Sequence, residues 1–267
     1  MNGAAPSIVH READGFPPIV VGGTGGSGTR VVRAVLARAG AFMGARLNEA
    51  GDAMDFEPFL DDIINPVLAV TRSLDYAADT LPTPLRLLAL RRFDDAATRY
   101  CGERPPDVRW GWKNPRSMYV LPLIHARFPA MTFIHVLRDG RDMALSQNRN
   151  QLRKHYEALF GEPAAETDDR AALRLWSTAN RAVADWGGRV LGTHYLQVRF
   201  EDLCRDPSNS CAALLRRLAL PVDAGDALAS IVAPPATIGR WRRAASAPPP
   251  EPLEPSATTA LAAFGYR

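Results

Sequence analysis

Lysine is almost missing from this sequence. Of 32 basic residues only Lys113 and Lys154 are lysine, and the other 30 are arginine. A chain that uses arginine wherever either residue would serve makes Lys113 conspicuous, because an ammonium on a flexible stem is a point charge where a guanidinium is a planar fork. Cysteine is also scarce. Cys101, Cys204 and Cys211 are an odd number, with no Cys-x-x-Cys pair and no histidine nearby at zinc spacing. That excludes a disulfide framework or a zinc module and predicts buried thiols in a reducing, cytoplasmic setting. No apolar run approaches the roughly 20 residues of a membrane-crossing helix. The opening residues lack the basic-then-apolar order of a secretion leader, which predicts a mature chain starting near Met1. A net charge of +3 is too small to suggest a nucleic-acid partner, although it suits an anionic ligand.

The chain has 267 residues, 46% of them hydrophobic, enough to bury the core of one domain. Residues 1–15 are polar and aperiodic and read as a flexible tail, leaving 16–267 as a single domain. Strands are expected at 18–21, 108–112, 132–137 and 195–200, and helices at 29–39, 121–127, from about 142, at 168–186 and at 211–220. Residues 47–99 are mainly helical in pattern, broken by Pro58, Pro66, Pro82 and Pro84, and read as a helical cap. Residues 248–255 are Pro-rich and expected to be extended or irregular. No internal repeat is visible. Strands alternating with helices predict a three-layer α/β/α fold around a mainly parallel sheet.

The most informative stretch is Ile19-Val20-Val21-Gly22-Gly23-Thr24-Gly25-Gly26-Ser27-Gly28-Thr29-Arg30. An apolar strand runs into a glycine-rich loop and then a helix with Val31, Val32, Val35, Leu36 and Ala39 on its apolar stripe. Without Cβ atoms such a loop can turn its N–H groups inward, and the helix start adds partial positive charge, so the pattern predicts an anion site. Gly23-x-Gly25-x-x-Gly28 fits the dinucleotide fingerprint, with Glu49 about 20 residues on where a ribose-binding acid belongs. That acid should end a second strand, and residues 41–48 offer none. A nucleoside-triphosphate loop would place its lysine where Thr29 stands.

A further reading draws on the whole chain. The loop Gly25-Gly26-Ser27-Gly28-Thr29 resembles the 5′-phosphosulfate loop of sulfotransferases that use 3′-phosphoadenosine 5′-phosphosulfate (PAPS). Phe133-Ile134-His135-Val136-Leu137-Arg138-Asp139-Gly140-Arg141-Asp142, followed by Ser146, resembles their 3′-phosphate site. Val198-Arg199-Phe200-Glu201-Asp202-Leu203, with Asp206-Pro207 behind it, resembles their Tyr-Glu-Asp-Leu segment. Ile238-Gly239-Arg240-Trp241 resembles their nucleotide-covering motif. The resemblance spans residues 19–242 and implies PAPS as co-substrate, a P-loop-like core and no metal. It implies that Gly25 to Thr29 hold the 5′-phosphate, that Arg138 and Ser146 hold the 3′-phosphate, and that Arg240 and Trp241 close over the nucleotide. Independently, Arg138 stands at the end of a buried parallel strand, where ligands of α/β sheets gather. Ser146 is placed on the helix that follows.

The position before Ser-Gly-Thr usually carries Lys or Arg in this family, and here it is Gly26, with Arg30 the nearest substitute. Trp112-Lys113-Asn114-Pro115-Arg116 resembles the Lys-Asp-Pro segment of tyrosylprotein and related bacterial sulfotransferases, which implies a catalytic role for Lys113 at the bridging oxygen. The tyrosylprotein enzymes use a glutamate in the region after the first helix, so the resemblance implies a general base in the corresponding acidic stretch Asn48-Glu49-Ala50-Gly51-Asp52-Ala53-Met54-Asp55, at Glu49 or Asp52 with Asp55 behind them. A carboxylate there can accept a proton if burial raises its pKa. His135, in mid-strand, and Trp176, on an apolar helical stripe, read as core. The resemblance implies a small-molecule or glycan hydroxyl as acceptor, with an amine as the alternative. Saccharide, lipid-linked glycan, phenol and tyrosyl peptide are all compatible. The competing function classes are an NAD(P) oxidoreductase and a nucleotide-binding module without activity.

Overall fold

The computed structural model describes residues 16–222, 230–244 and 253–266. The expected tail at 1–15 and residues 248–252 of the Pro-rich segment lie outside them. Four strands, β1 (Ile19–Gly23), β2 (Gly111–Lys113), β3 (Thr132–Leu137) and β4 (Tyr195–Arg199), form one sheet in the order β2-β1-β3-β4. All three pairings are parallel. The chain moves from β1 to β2 on one flank, then crosses to β3 on the other. The carboxyl ends of β1 and β3 therefore border the point where the winding reverses, which is where ligands of open α/β sheets bind.

Side chains alternate across the sheet, as a period of two requires. Ile19, Val21, Ile134 and Val136 face one layer. There they meet Val32, Val35 and Leu36 of α1 (Thr29–Arg38), Leu203 of α8 (Phe200–Arg205) and Leu214 and Leu215 of α9 (Pro207–Arg217). Val20, Trp112 and Phe133 face the other layer, packed with residues of α2 (Glu57–Thr71), α3 (Thr83–Gly102) and α7 (Asp169–Val190). Phe56 stacks on Trp112 at 4.4 Å between ring centroids. Each such fully buried side chain contributes about 1.5–3 kcal/mol of transfer free energy. The result is a three-layer α/β/α fold. Among the described residues, no helix is long and apolar enough to cross a membrane.

Several local expectations change. Pro66 does not break a helix but lies inside α2, on its solvent face. The carbonyl it leaves unpaired belongs to exposed Asp62, which water can satisfy, while Ile63, Ile64, Val67 and Leu68 hold the other face. The strand expected at 108–112 is the shorter β2, which reaches Lys113, because only at Gly111 does the backbone come alongside Ile19. The helix after β3 starts at Gly140 and ends at Ala144 as α5. Ser146 follows it in a turn rather than on a helix, before α6 (Asn150–Phe160) begins. Pro255 opens a further helix instead of continuing an irregular segment. With α4 (Leu121–Arg127) and α10 (Arg240–Arg243) preceding it in the chain, it is α11 (Pro255–Ala263). No disulfide joins the three cysteines, and only Cys211 is buried, while Cys101 and Cys204 are half-exposed.

His135 is fully buried in β3, with Nδ1 paired to the Tyr195 hydroxyl at 2.7 Å and Nε2 to Asn180 Oδ1 at 2.8 Å. Burial lowers its pKa from 6.5 to about 4, against the opposing effect of Asn180. Between those values the unfolded chain binds a proton that the folded chain refuses, so stability is full above about pH 6.5 and falls as the pH drops toward about 4. Urea midpoints at pH 7 and pH 5 should therefore fall more for the wild type than for His135→Gln. Equal losses would remove His135 as their source.

Candidate functional site

The site is built where the strands end. β1 is buried throughout and stops at Gly23, and α1 starts after Gly28, which caps it in the left-handed region at φ +99°. A Cβ at Gly28 would also lie 2.2 Å from the Phe200 ring, so both backbone conformation and space demand glycine here. The first turn of α1 carries no acidic residue. Inside the loop the Ser27 hydroxyl is fully buried and has no hydrogen-bond partner, and the Thr24 hydroxyl is in the same position. Buried hydroxyls are normally paired. Two unpaired ones beside a helix start form a cradle whose chemistry fits anion oxygens.

The bend after β3 lies against this loop. Arg138 is buried; its Nη1 donates to the Gly26 carbonyl at 3.3 Å and its Nη2 to Thr237 Oγ1 at 2.8 Å. Its Nε is buried without a partner. Arg138 forms a long, buried ion pair with Asp142 at 4.0 Å, whereas Asp139 is occupied by Arg141 at 2.7 Å. Ser146 belongs to the same corner, since a Cβ on Gly26 would lie 3.9 Å from its Oγ. The indole N–H of Trp176 donates to the Arg138 carbonyl at 3.0 Å, making Trp176 a core residue with a polar task.

Asp142 ties the 237–243 segment to the bend, accepting from Gly239 N at 2.6 Å and Trp241 N at 3.0 Å. Arg240 donates to the Leu145 carbonyl at 2.9 Å. Desolvation, then the neighbouring Arg138 charge, lower its pKa. Trp241 donates to Asp139 Oδ2 at 3.1 Å, and the Arg141 guanidinium lies 3.6 Å from the centre of its ring. Asp142 and Thr237 were not singled out by sequence. Asp142 lay within the motif, and nothing in its spacing marks it as an anchor for a segment nearly a hundred residues away.

On the other flank of β1, Lys113 pairs in register with Val21 and is almost completely buried. Its ammonium donates to the Ala50 carbonyl at 2.6 Å and forms an ion pair with Asp52. Burial lowers its pKa; Asp52 opposes that shift, and the Arg33 and Arg30 charges add to it. Arg30 is exposed at the start of α1. Asn48 braces Asp52 by accepting its backbone N–H at 2.9 Å. Glu49 is exposed and makes no ion pair among the described residues. It lies in a turn rather than at the end of a second strand, so the dinucleotide pattern lacks its acid. Asp55 turns away to Arg46 at 2.9 Å. Asn114 donates to Glu57 at 2.6 Å and caps Arg116 N at 3.1 Å, while Arg116 pairs with Glu57 and Asp61. These contacts fasten the segment after Lys113 to α2. Glu57 was not visible as a partner from sequence.

Residues 17–224 match a family model described as the sulfotransferase family. Among solved structures, the chain is similar to a sulfotransferase domain from the curacin biosynthetic pathway, with a TM-score of 0.60 at 14% identity over 94% of this chain and 98% of that one. It is also similar to a sulfotransferase domain from the Synechococcus PCC 7002 olefin synthase, with a TM-score of 0.57 at 20% identity over 94% and 95%. At such identities the likeness is one of fold. No curated protein sequence matches the chain.

Gly28→Ala should cost about 1–3 kcal/mol in urea denaturation, from the left-handed backbone and the Phe200 overlap together. In a Phe200→Ala background the added cost should shrink. Unchanged stability in both backgrounds would mean that the loop does not require glycine.

Proposed function

This chain belongs to the sulfotransferase family, and we propose that it transfers the sulfuryl group of PAPS to a hydroxyl, releasing adenosine 3′,5′-bisphosphate. The observation that carries this reading is the buried, unpartnered Ser27 hydroxyl in a glycine loop whose Gly26 carbonyl is held by Arg138. In it, the loop Gly25 to Thr29 takes the 5′-phosphosulfate end. Arg138, with its free Nε, Ser146 and Arg240 take the 3′-phosphate, for which guanidinium forks and a hydroxyl are suited partners. Trp241 lies beside them as the covering side chain. The NAD(P) alternative loses support because Glu49 lies in a turn and not at the end of a second strand.

The acceptor oxygen attacks sulfur in line, and the bond from sulfur to the bridging oxygen of the phosphate breaks. Positioning and charge stabilisation supply the catalysis, as in phosphoryl transfer. Lys113 meets the charge that develops on the bridging oxygen. Its depressed pKa, caused mainly by burial, makes it a better proton donor than an exposed lysine. Arg30 adds positive charge at the helix start, where the loop itself carries Gly26. Asp52, in contact with Lys113, is the preferred acceptor of the hydroxyl proton, ahead of exposed Glu49. These side-chain cations are the charge the mechanism uses, without a metal. Residues 16–267 act as one domain, with 47–99 supplying the acceptor side next to Lys113. Three cysteines without a disulfide fit a cytoplasmic enzyme.

Adenosine 3′,5′-bisphosphate should raise the melting temperature and NAD(P) should not; the reverse result would overturn the reading. Lys113→Ala should lower kcat by roughly 100-fold or more while the fold and the bisphosphate affinity persist, on the scale of losing one charge-stabilising donor. Near-normal turnover would remove its role. Arg138→Ala should weaken bisphosphate binding at least about 10-fold, the scale of a charge-assisted contact. Bisphosphate binding without sulfate transfer to any of a broad hydroxyl panel would favour a module without activity.

A further inference from the structure

The chain beyond the family-matched residues returns to the site. α11 packs against α7, and Ala257, Ala260, Leu261, Phe264 and Tyr266 share a core with Leu137, Met143 and Trp176, the residues around the Arg138 bend. The return is written in local chemistry. Gly265 takes the left-handed conformation at φ +73°, Gly265 N donates to the Ala262 carbonyl at 3.0 Å and Tyr266 N to the Leu261 carbonyl at 2.8 Å. That is the paired-bond helix stop for which glycine is preferred. It points Tyr266 inward, where it is buried edge-on to Trp176, with the Arg199 guanidinium 4.5 Å from its ring centre.

The Tyr266 hydroxyl donates to Glu201 Oε2 at 3.0 Å, and the other oxygen of that carboxylate accepts the backbone N–H of Asp139 at 2.9 Å. Asp139 follows Arg138 directly. Trp176, against which Phe264 and Tyr266 both pack, holds the Arg138 carbonyl on the preceding residue. Both groups that fix the peptide after Arg138 are thus braced by the last described turn of the chain. Neither the matched family region nor the motifs around the loop include that turn.

We propose that Tyr266 is a positioning residue of the nucleotide site, acting through Glu201 to fix the Arg138–Asp139 bend so that the Arg138 guanidinium is aimed at a terminal phosphate. This role rests on the proposed function, in which Arg138 holds the 3′-phosphate. A ligand that lacks that phosphate is the discriminating probe, because general loosening of the fold weakens both ligands alike.

The test is calorimetric titration of the full chain with adenosine 3′,5′-bisphosphate and, separately, adenosine 5′-monophosphate. Tyr266→Phe removes one hydroxyl and keeps the ring. It should weaken the bisphosphate about 5- to 10-fold, the scale of one ordinary hydrogen bond, and leave the monophosphate within about two-fold. Glu201→Ala should show the same selective loss, and adding Tyr266→Phe to it should cost little more, as expected of residues acting in one chain of contacts. Undiminished bisphosphate affinity in Tyr266→Phe, or an equal fall for both ligands, overturns the proposal while leaving the proposed function standing. A wild type that binds both ligands equally removes the 3′-phosphate reading itself, and the positioning role with it.

Discussion

The parallel pairing of β1 with β3 is the constraint on which the site depends. Its register runs from Ile19 opposite Thr132 to Gly23 opposite Val136, so the two strands leave the sheet at the same height. Arg138, two residues past the partner of Gly23, is thereby within reach of the Gly26 carbonyl. On the opposite flank the pairing of Val21 with Lys113 brings the lysine to the same edge. A slip of one residue would exchange the faces of every side chain in the strand, burying polar groups and freeing apolar ones. The two-layer core around Val20 and Val21 forbids that slip, and it is the core that holds the site in register.

Charge at this edge is arranged asymmetrically. Lys113 has a carboxylate partner in Asp52, while Arg240 lies close enough to Arg138 that the Arg138 charge, after burial, disfavours its own. The nearby Asp142 is spent mainly on backbone N–H groups of the 237–243 segment and stands 4.0 Å from Arg138. Two partly desolvated guanidiniums without a full counter-charge favour an anion between them more than an already neutralised pair would. On the proposed function, one flank of the loop grips the donor and the other carries the chemistry.

Besides its ties to the 237–243 segment, the bend after β3 is held by Trp176 on α7 and by Glu201 on α8, the latter braced in turn by Tyr266. Each contributes a single directed hydrogen bond, and aromatic packing around Trp176 fixes the donors and acceptors in place. Such bracing is what a site needs when its recognition depends on the direction of one arginine fork.

Sequence alone determined the features that rest on local chemistry. The glycine loop between an apolar strand and an amphipathic helix, the strand at 132–137 and the helix at 121–127 are set by side-chain period and by glycine's permitted angles. The order of elements was enough to imply a parallel sheet with helices on both faces. Only the tertiary structure decided that Pro66 stays within a helix, because burial of the opposite face outweighs one lost hydrogen bond. It likewise decided that Asp52 rather than Glu49 meets Lys113 across 61 residues of chain, and that Tyr266 reaches Glu201 across 65. Contacts of that kind leave no periodic trace: they depend on how the sheet winds and where its strands end, which neighbouring residues do not encode.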